Sequence, residues 1–277
     1  MSADSTRTAR PRYPAKWGDA AATGSSGTTR PRSTPLSAEG GRPALPRSQG
    51  AYRQTIVQPG VPTGQGMDSQ AVRDSMVERL RAMGGMEPAV LNAMLAVPRH
   101  VFLEPGLVAQ AYLDNALPIG HGQTISKPSV VARCASVLLQ SLGAKPERVL
   151  EIGTGCGYQA AVLSRVAGEV YSIERIRALH ELARRNLRAL RLPNLRLLLG
   201  DGTDGAVAGA PFDAVLSAAA CAEVPASWLA QLRPGGVLLA PVGQPQRLMA
   251  YRKTATCKVD SWCVEDAHFV PLKSGVL

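Results

Sequence analysis

The sequence predicts an α/β fold: a doubly wound, mainly parallel sheet with an antiparallel C-terminal edge and an N-terminal helical subdomain. Three observations point there. Short apolar runs alternate with helical patterns from residue 148 onward, as βαβ units require. A glycine turn, Gly153-Thr154-Gly155-Cys156-Gly157, stands between one such run and the helix that follows it. The last apolar runs, 236–241, 247–252 and 268–272, have no helix between them, which favours antiparallel pairing at that edge.

Residues 1–66 are rich in Pro, Gly, Ser, Thr and Arg and hold nine Lys/Arg against three Asp/Glu, so most of the net charge of +10 lies there. With no apolar run long enough to bury, this stretch is expected to be a disordered basic extension. A tether for an anionic surface and a targeting peptide compete there with a plain solvated segment, which the prolines favour by breaking any amphipathic helix. The main domain is expected over 67–277, with a helical and loop part at 67–147 and a ligand-binding sheet at 148–277.

Within that domain Val72, Met76, Leu80 and Met83 recur at helical spacing, two glycines end the run, and Pro88 opens a second helix with Val90, Leu91, Met94 and Leu95. Residues 111–128 show neither period and contain two prolines and two glycines, so a long loop is expected; such loops tend to be functional or disordered. The stretch 128–143 starts with Pro and ends with Gly, the asymmetry of a helix. Then come strand 148–152, helix 158–166, strand 169–173, helix 177–190, strands 195–199 and 212–217, and helix 226–232.

Composition excludes several classes. No window reaches the roughly 18 apolar residues of a membrane span. The five cysteines form no Cys-x-x-Cys pair, so free thiols in a reducing, cytoplasmic setting are expected, with no disulfide frame or metal site. Only 4% of the chain is aromatic, which argues against a nucleic-acid binder that stacks bases.

The glycine turn carries the chemistry. Glycines permit positive φ and close approach of a ligand, and the helix after them offers free N–H groups. Glu174 ends the second strand about twenty residues on, where a carboxylate can accept both hydroxyls of a ribose. The spacing is G-x-G-x-G with Glu151 just ahead of it. An acid there would repel the pyrophosphate of NAD and attract the amino group of an amino-acid cofactor, which favours S-adenosylmethionine. Asp201 and Gly202 close the third strand, where the carboxylate can accept from an adenine amino group and the N–H can donate to the ring.

Taken together, ALPIGHGQTISKP, VLEIGTGCGYQAAVL, VYSIERI, GDGTDG, APFDAVLSAAA, LRPGGVLLAPVG and HFVPL resemble, in order and spacing, the protein-L-isoaspartate O-methyltransferase family, from about Met76 onward. The glycine and acid motifs are widespread among methyltransferases, whereas GQTISKP and FVPL are specific to this family. The resemblance implies a Rossmann-like methyltransferase that moves a methyl group from S-adenosylmethionine to the free α-carboxylate of isoaspartyl residues in damaged peptides and proteins. It implies Ser126 at the substrate carboxylate, with Thr124 and Ile125 shaping the loop over donor and peptide and Val270 bordering the peptide groove. Glu151, Gly153, Thr154, Gly155, Gly157, Glu174, Asp201 and Gly202 are the implied cofactor residues. The chain departs from the family at Cys221-Ala222, where prolines or another small residue are frequent, and in the basic extension.

This chemistry fits the side chains available. A carboxylic acid with a pKa near 4 is already ionised at pH 7, so the nucleophile needs no strong base. His100 and His121 are accordingly left out of the catalytic set, and His100 is expected to pack or hydrogen-bond. Ser126 also precedes Pro128 and can serve simply to start a helix. Lys127 can attract an acidic peptide or merely be solvated. A methyltransferase with another acceptor, an NAD oxidoreductase and a nucleic-acid binder remain the competing readings; the expected enzyme is monomeric and free of membrane.

Overall fold

The computed structural model describes residues 70–277, so the expectation for residues 1–66 lies outside the described residues. Helices α1 (Gln70–Met83) and α2 (Pro88–Ala96) come first, followed by two 3-10 turns, Arg99–Phe102 and Pro105–Gln110. Residues 111–128 are not one irregular loop, as expected, but carry an antiparallel hairpin of β1 (Leu117–Gly120) and β2 (Gln123–Ile125). His121 and Gly122 turn it with φ of 53° and 67°, both positive as a tight two-residue hairpin requires. Strands of four and three residues, one containing a proline, are too short to show a period.

Helix α3 (Pro128–Leu142) ends on Gly143 in the left-handed conformation, φ 69°. Then follow β3 (Arg148–Ile152), α4 (Tyr158–Val166), β4 (Glu169–Glu174), α5 (Arg177–Arg188), β5 (Leu195–Leu199), β6 (Phe212–Ser217), α6 (Ala226–Ala230), β7 (Leu232–Val242), β8 (Arg247–Lys253) and β9 (Val259–Asp266). The seven-stranded sheet runs β5-β4-β3-β6-β7-β8-β9, parallel from β5 to β7 and antiparallel at β8 and β9.

One expected strand is corrected. The ninth strand is Val259–Asp266, and residues 268–272 lie outside the sheet, touching it through an isolated bridge from Pro271 to Ala220. Strand β9 sits at the edge, so only Trp262 and Val264 turn partly inward and its apolar signal is faint. The HFVPL segment reads as a strand by composition, but it is held across the carboxyl end of the sheet and lines the site.

Alternate residues of the parallel strands feed opposite layers. Val149, Ala214, Leu216, Val237 and Leu239 join the core shared with α1 to α5, whereas Leu150, Ile152, Val215, Leu238 and Ala240 face Trp228 of α6. The first two helices therefore share the main core with the sheet. The order reverses between β3 and β6, both leaving from the same central position; such a switch point opens a crevice at the carboxyl ends. Register aligns those ends, pairing Ile152 with Ile173 on one side and Ser217 on the other.

Candidate functional site

A cleft opens at that switch point. It is walled by Ile152, Gly153, Thr154 and Gly155 from the first turn, Glu174 and Arg175 after β4, Gly202 after β5, Ala218 after β6, and Thr124, Ile125 and Ser126 of the hairpin loop. Val270 to Lys273 close one side. A second cleft runs away between α3 and the chain after β9, past Lys127, Val130, Cys134, Asp266 and Phe269. The two meet at Thr124, Ser126, Ala218 and Val270.

The glycine turn hangs on β4. Gly153 and Thr154 both donate to the Ile173 carbonyl, at 2.9 and 3.2 Å, Gly157 donates to Thr154 at 2.9 Å, and Gly155 donates to Glu174 Oε2 at 2.9 Å. These four N–H groups of the turn itself are thus committed to protein acceptors. Gly153 (φ 92°) and Gly155 (φ 56°) give close approach instead, and a Cβ on Gly155 would come within 3.2 Å of Ile119. Gly157 does not line the cleft: a Cβ there would come within 2.8 Å of Leu187, so its glycine serves the packing of α4 on α5.

Glu174 is buried at 5% exposure, and each of its oxygens takes one backbone N–H, Oε2 from Gly155 and Oε1 from Ile176 at 2.9 Å. Each oxygen retains a second lone pair, so the carboxylate is fixed in orientation and still able to accept a vicinal diol.

Glu151 is placed differently from expectation. Register sets it opposite Ser172, whose hydroxyl donates to its Oε2 and also meets Thr154 Oγ1 at 2.6 Å. It is fully buried and does not line the cleft, because it projects from a strand covered on both faces. Burial pushes its carboxyl up to about 8, aided by Glu174 and opposed by Ser172 and the neighbouring Gln159 amide. Glu151 Oε1 and Gln159 Nε2 are both buried, and the amide lies near the carboxyl without a hydrogen bond of good geometry to it. Gln159, to which the sequence reading gave no role, does line the cleft.

Asp201 also stands outside the lining, although Gly202 belongs to it. Its Oδ1 accepts from the Thr203 N–H and hydroxyl at 2.8 and 2.7 Å, and its Oδ2 accepts from the Gly275 N–H. Burial alone would raise this carboxyl; the N–H of Gly275, the two donors of Thr203 and the charge of Arg175 outweigh it and hold it below the usual range. Trp228 Nε1 donates to the Gly202 carbonyl at 2.8 Å, fixing the turn from beneath.

Ser126 does not cap α3. That helix has no side-chain cap at Lys127; Asp114 supplies it, accepting from the Ser129 N–H at 2.8 Å and the Ser129 hydroxyl at 2.7 Å. Arg99, fully buried, donates to the Ala111 carbonyl at 2.8 Å and lies over the Tyr158 ring at 4.8 Å, pinning the start of the loop to α4. His100 is buried with Nδ1 2.7 Å from Tyr112 Oη, in the packing role expected. Cys221 donates through its N–H to the Pro241 carbonyl at 3.1 Å, so the departure at Cys221-Ala222 is built into the end of β7. Among the described residues no group of acids, histidines and cysteines is arranged for a metal, and no helix is long and apolar enough to cross a membrane.

Residues 71–277 match the family described as protein-L-isoaspartate(D-aspartate) O-methyltransferase. Over 214 residues the chain is 58% identical to proteins named protein-L-isoaspartate O-methyltransferase from Burkholderia mallei and Burkholderia pseudomallei, covering 76% of this chain. The match spans 66% of those curated relatives, just under two thirds of their length. A solved protein-L-isoaspartate O-methyltransferase is 28% identical over 74% of this chain and 67% of its own, with a TM-score of 0.66. A putative one from Plasmodium falciparum, solved with S-adenosyl-L-homocysteine, has the same fold at 24% identity and a TM-score of 0.64, over 73% of this chain and 98% of its own.

Proposed function

The chain belongs to the protein-L-isoaspartate(D-aspartate) O-methyltransferase family, and on that premise we propose that it methylates the free α-carboxylate of L-isoaspartyl residues in damaged proteins, using S-adenosylmethionine. The ester then cyclises to a succinimide, and its hydrolysis returns some normal aspartate. The observation that carries this reading is the meeting of two clefts at Ser126, one holding the buried Glu174 carboxylate and the other running between α3 and the chain after β9.

When bound, the cofactor supplies a methyl group on a cationic sulfonium. Glu174 accepts the ribose hydroxyls, and Gly153, Thr154 and Gly155 form a floor whose N–H groups are spent on protein, which suits a ligand without a pyrophosphate. Gln159, which lines the cleft, faces the amino-acid end, with the fully buried Glu151 behind it and outside the lining. Gly202 borders the base, with Asp201 beside it as the acceptor for its amino group. Thr124 and Ile125 separate donor from peptide, Val270 borders the peptide groove, and Ser126 donates to the substrate carboxylate to orient it. The carboxylate oxygen forms the new bond to carbon as the C–S bond breaks, so no proton needs to move and alignment supplies the acceleration. We assign this activity to residues 67–277, acting as a cytoplasmic monomer.

The test is transfer of a labelled methyl group to an isoaspartyl peptide and to its aspartyl counterpart. Labelling of the isoaspartyl peptide alone, released by mild base as methanol, is expected. Labelling of some other acceptor with the isoaspartyl peptide ignored overturns the reading.

A further inference from the structure

Residues 273–277 form a strap beside the cleft that no core holds down. Val276 and Leu277 are 53% and 71% exposed and belong to neither core cluster among the described residues. Hydrogen bonds hold the strap instead. Arg175 Nε donates to the Gly275 carbonyl at 2.9 Å and its terminal nitrogen to the Ser274 carbonyl at 3.4 Å. The Leu277 N–H donates to the Arg175 carbonyl at 2.8 Å, and the Leu277 carbonyl accepts from the Arg177 N–H at 2.8 Å, occupying a donor that the start of α5 leaves without a helical acceptor. The Gly275 N–H reaches Asp201, and Lys273 lines the cleft with Arg175 and Glu174.

We propose that Arg175 is a positioning residue that holds this strap across the ribose and base end of the cofactor cleft, so that the strap closes over bound S-adenosylmethionine or its product and slows their release. The inference rests on the functional reading above. A segment tied mainly by polar contacts and burying little apolar surface opens at low cost, which a cofactor exchanged at every turnover requires. Asp201 links the two functions, because the oxygen that receives Gly275 belongs to the carboxylate assigned to the base.

The experiment measures S-adenosylhomocysteine binding by calorimetry and its release by stopped flow. It compares wild type, Arg175→Ala, Arg175→Lys and the chain lacking residues 274–277. Arg175→Ala and the shortened chain are expected to bind roughly 5- to 30-fold more weakly, through faster release. Arg175→Lys, able to reach one carbonyl, recovers part of the loss. The cofactor KM rises while the isoaspartyl-peptide KM at saturating cofactor holds, a split that general loosening of the fold would not produce. Wild-type binding with both variants within twofold of it overturns the inference alone. Failure of wild type to bind S-adenosylhomocysteine overturns the functional reading as well.

Discussion

Ser126 and Glu151 make opposite demands on their surroundings. Ser126 stands half-buried where the two clefts join and caps no helix, so its hydroxyl is available to a substrate carboxylate. A hydrogen bond to a charged group contributes about 1.5–3 kcal/mol, so Ser126→Ala is expected to lower kcat roughly 10- to 100-fold while S-adenosylhomocysteine affinity holds. An unchanged kcat would remove Ser126 from the reaction. Glu151 is held off water, and its folded pKa of about 8 lies above the ordinary carboxylate value of 4.5. The folded protein thus binds a proton more tightly than the unfolded chain. This contribution to stability is complete below the unfolded pKa and is lost as pH rises through the folded one. In the ligand-free protein, Glu151→Gln, which keeps an acceptor for Ser172, should gain on wild type by about 1.4 kcal/mol per pH unit across that window. Parallel denaturant titrations at pH 5 and pH 7.5 measure it; equal pH dependence in the two proteins would refute it.

At the scale of elements, the loop that carries Ser126 is positioned by contacts distant in sequence. Asp114 receives both donors of Ser129, tying the start of α3 to the segment before β1 and thereby setting the short stretch that carries Ser126. Asp114→Ala should cost about 1–2 kcal/mol, the usual loss for a helix cap, visible as a lower urea midpoint at unchanged m-value. It should also reduce kcat by displacing Ser126, with S-adenosylhomocysteine affinity retained. The ends of α3 were legible from Pro128 and Gly143, because both act through their own backbone angles. The hairpin β1-β2 and the edge strand β9 were not, since short or half-exposed strands bury too few side chains to show a period. For the same reason 268–272 looked like a strand by composition, while its hydrogen bonds go to Ala220 and Gln246 outside any ladder.

For the whole molecule, the cleft joins the ends of β3, β4, β5 and β6 with the hairpin loop and the chain after β9, so a ligand filling it braces several elements at once. Binding to the folded state alone should stabilise it by about 2.7 kcal/mol at a concentration one hundred times Kd. For a domain of this size that corresponds to a Tm rise of roughly 5–10 °C with S-adenosylhomocysteine. NAD should give a much smaller rise, because the N–H groups of Gly153, Thr154, Gly155 and Gly157 in the turn are already bonded to protein acceptors. A comparable rise with NAD would contradict the cofactor assignment.

The sequence by itself determined the order of strands and helices from α3 to β8, the glycine turn and the acid at the end of β4, because these follow from local backbone preferences and the period of apolar residues. Only the tertiary structure decided which of those residues reach the cleft. Glu151 is turned into the core by its register with Ser172, Gly157 is claimed by Leu187, and Gln159 and Arg175, which the quoted motifs contain without a role assigned to them, enter the wall. Strand pairing and helix packing set the direction in which each side chain points, and those contacts join residues far apart along the chain.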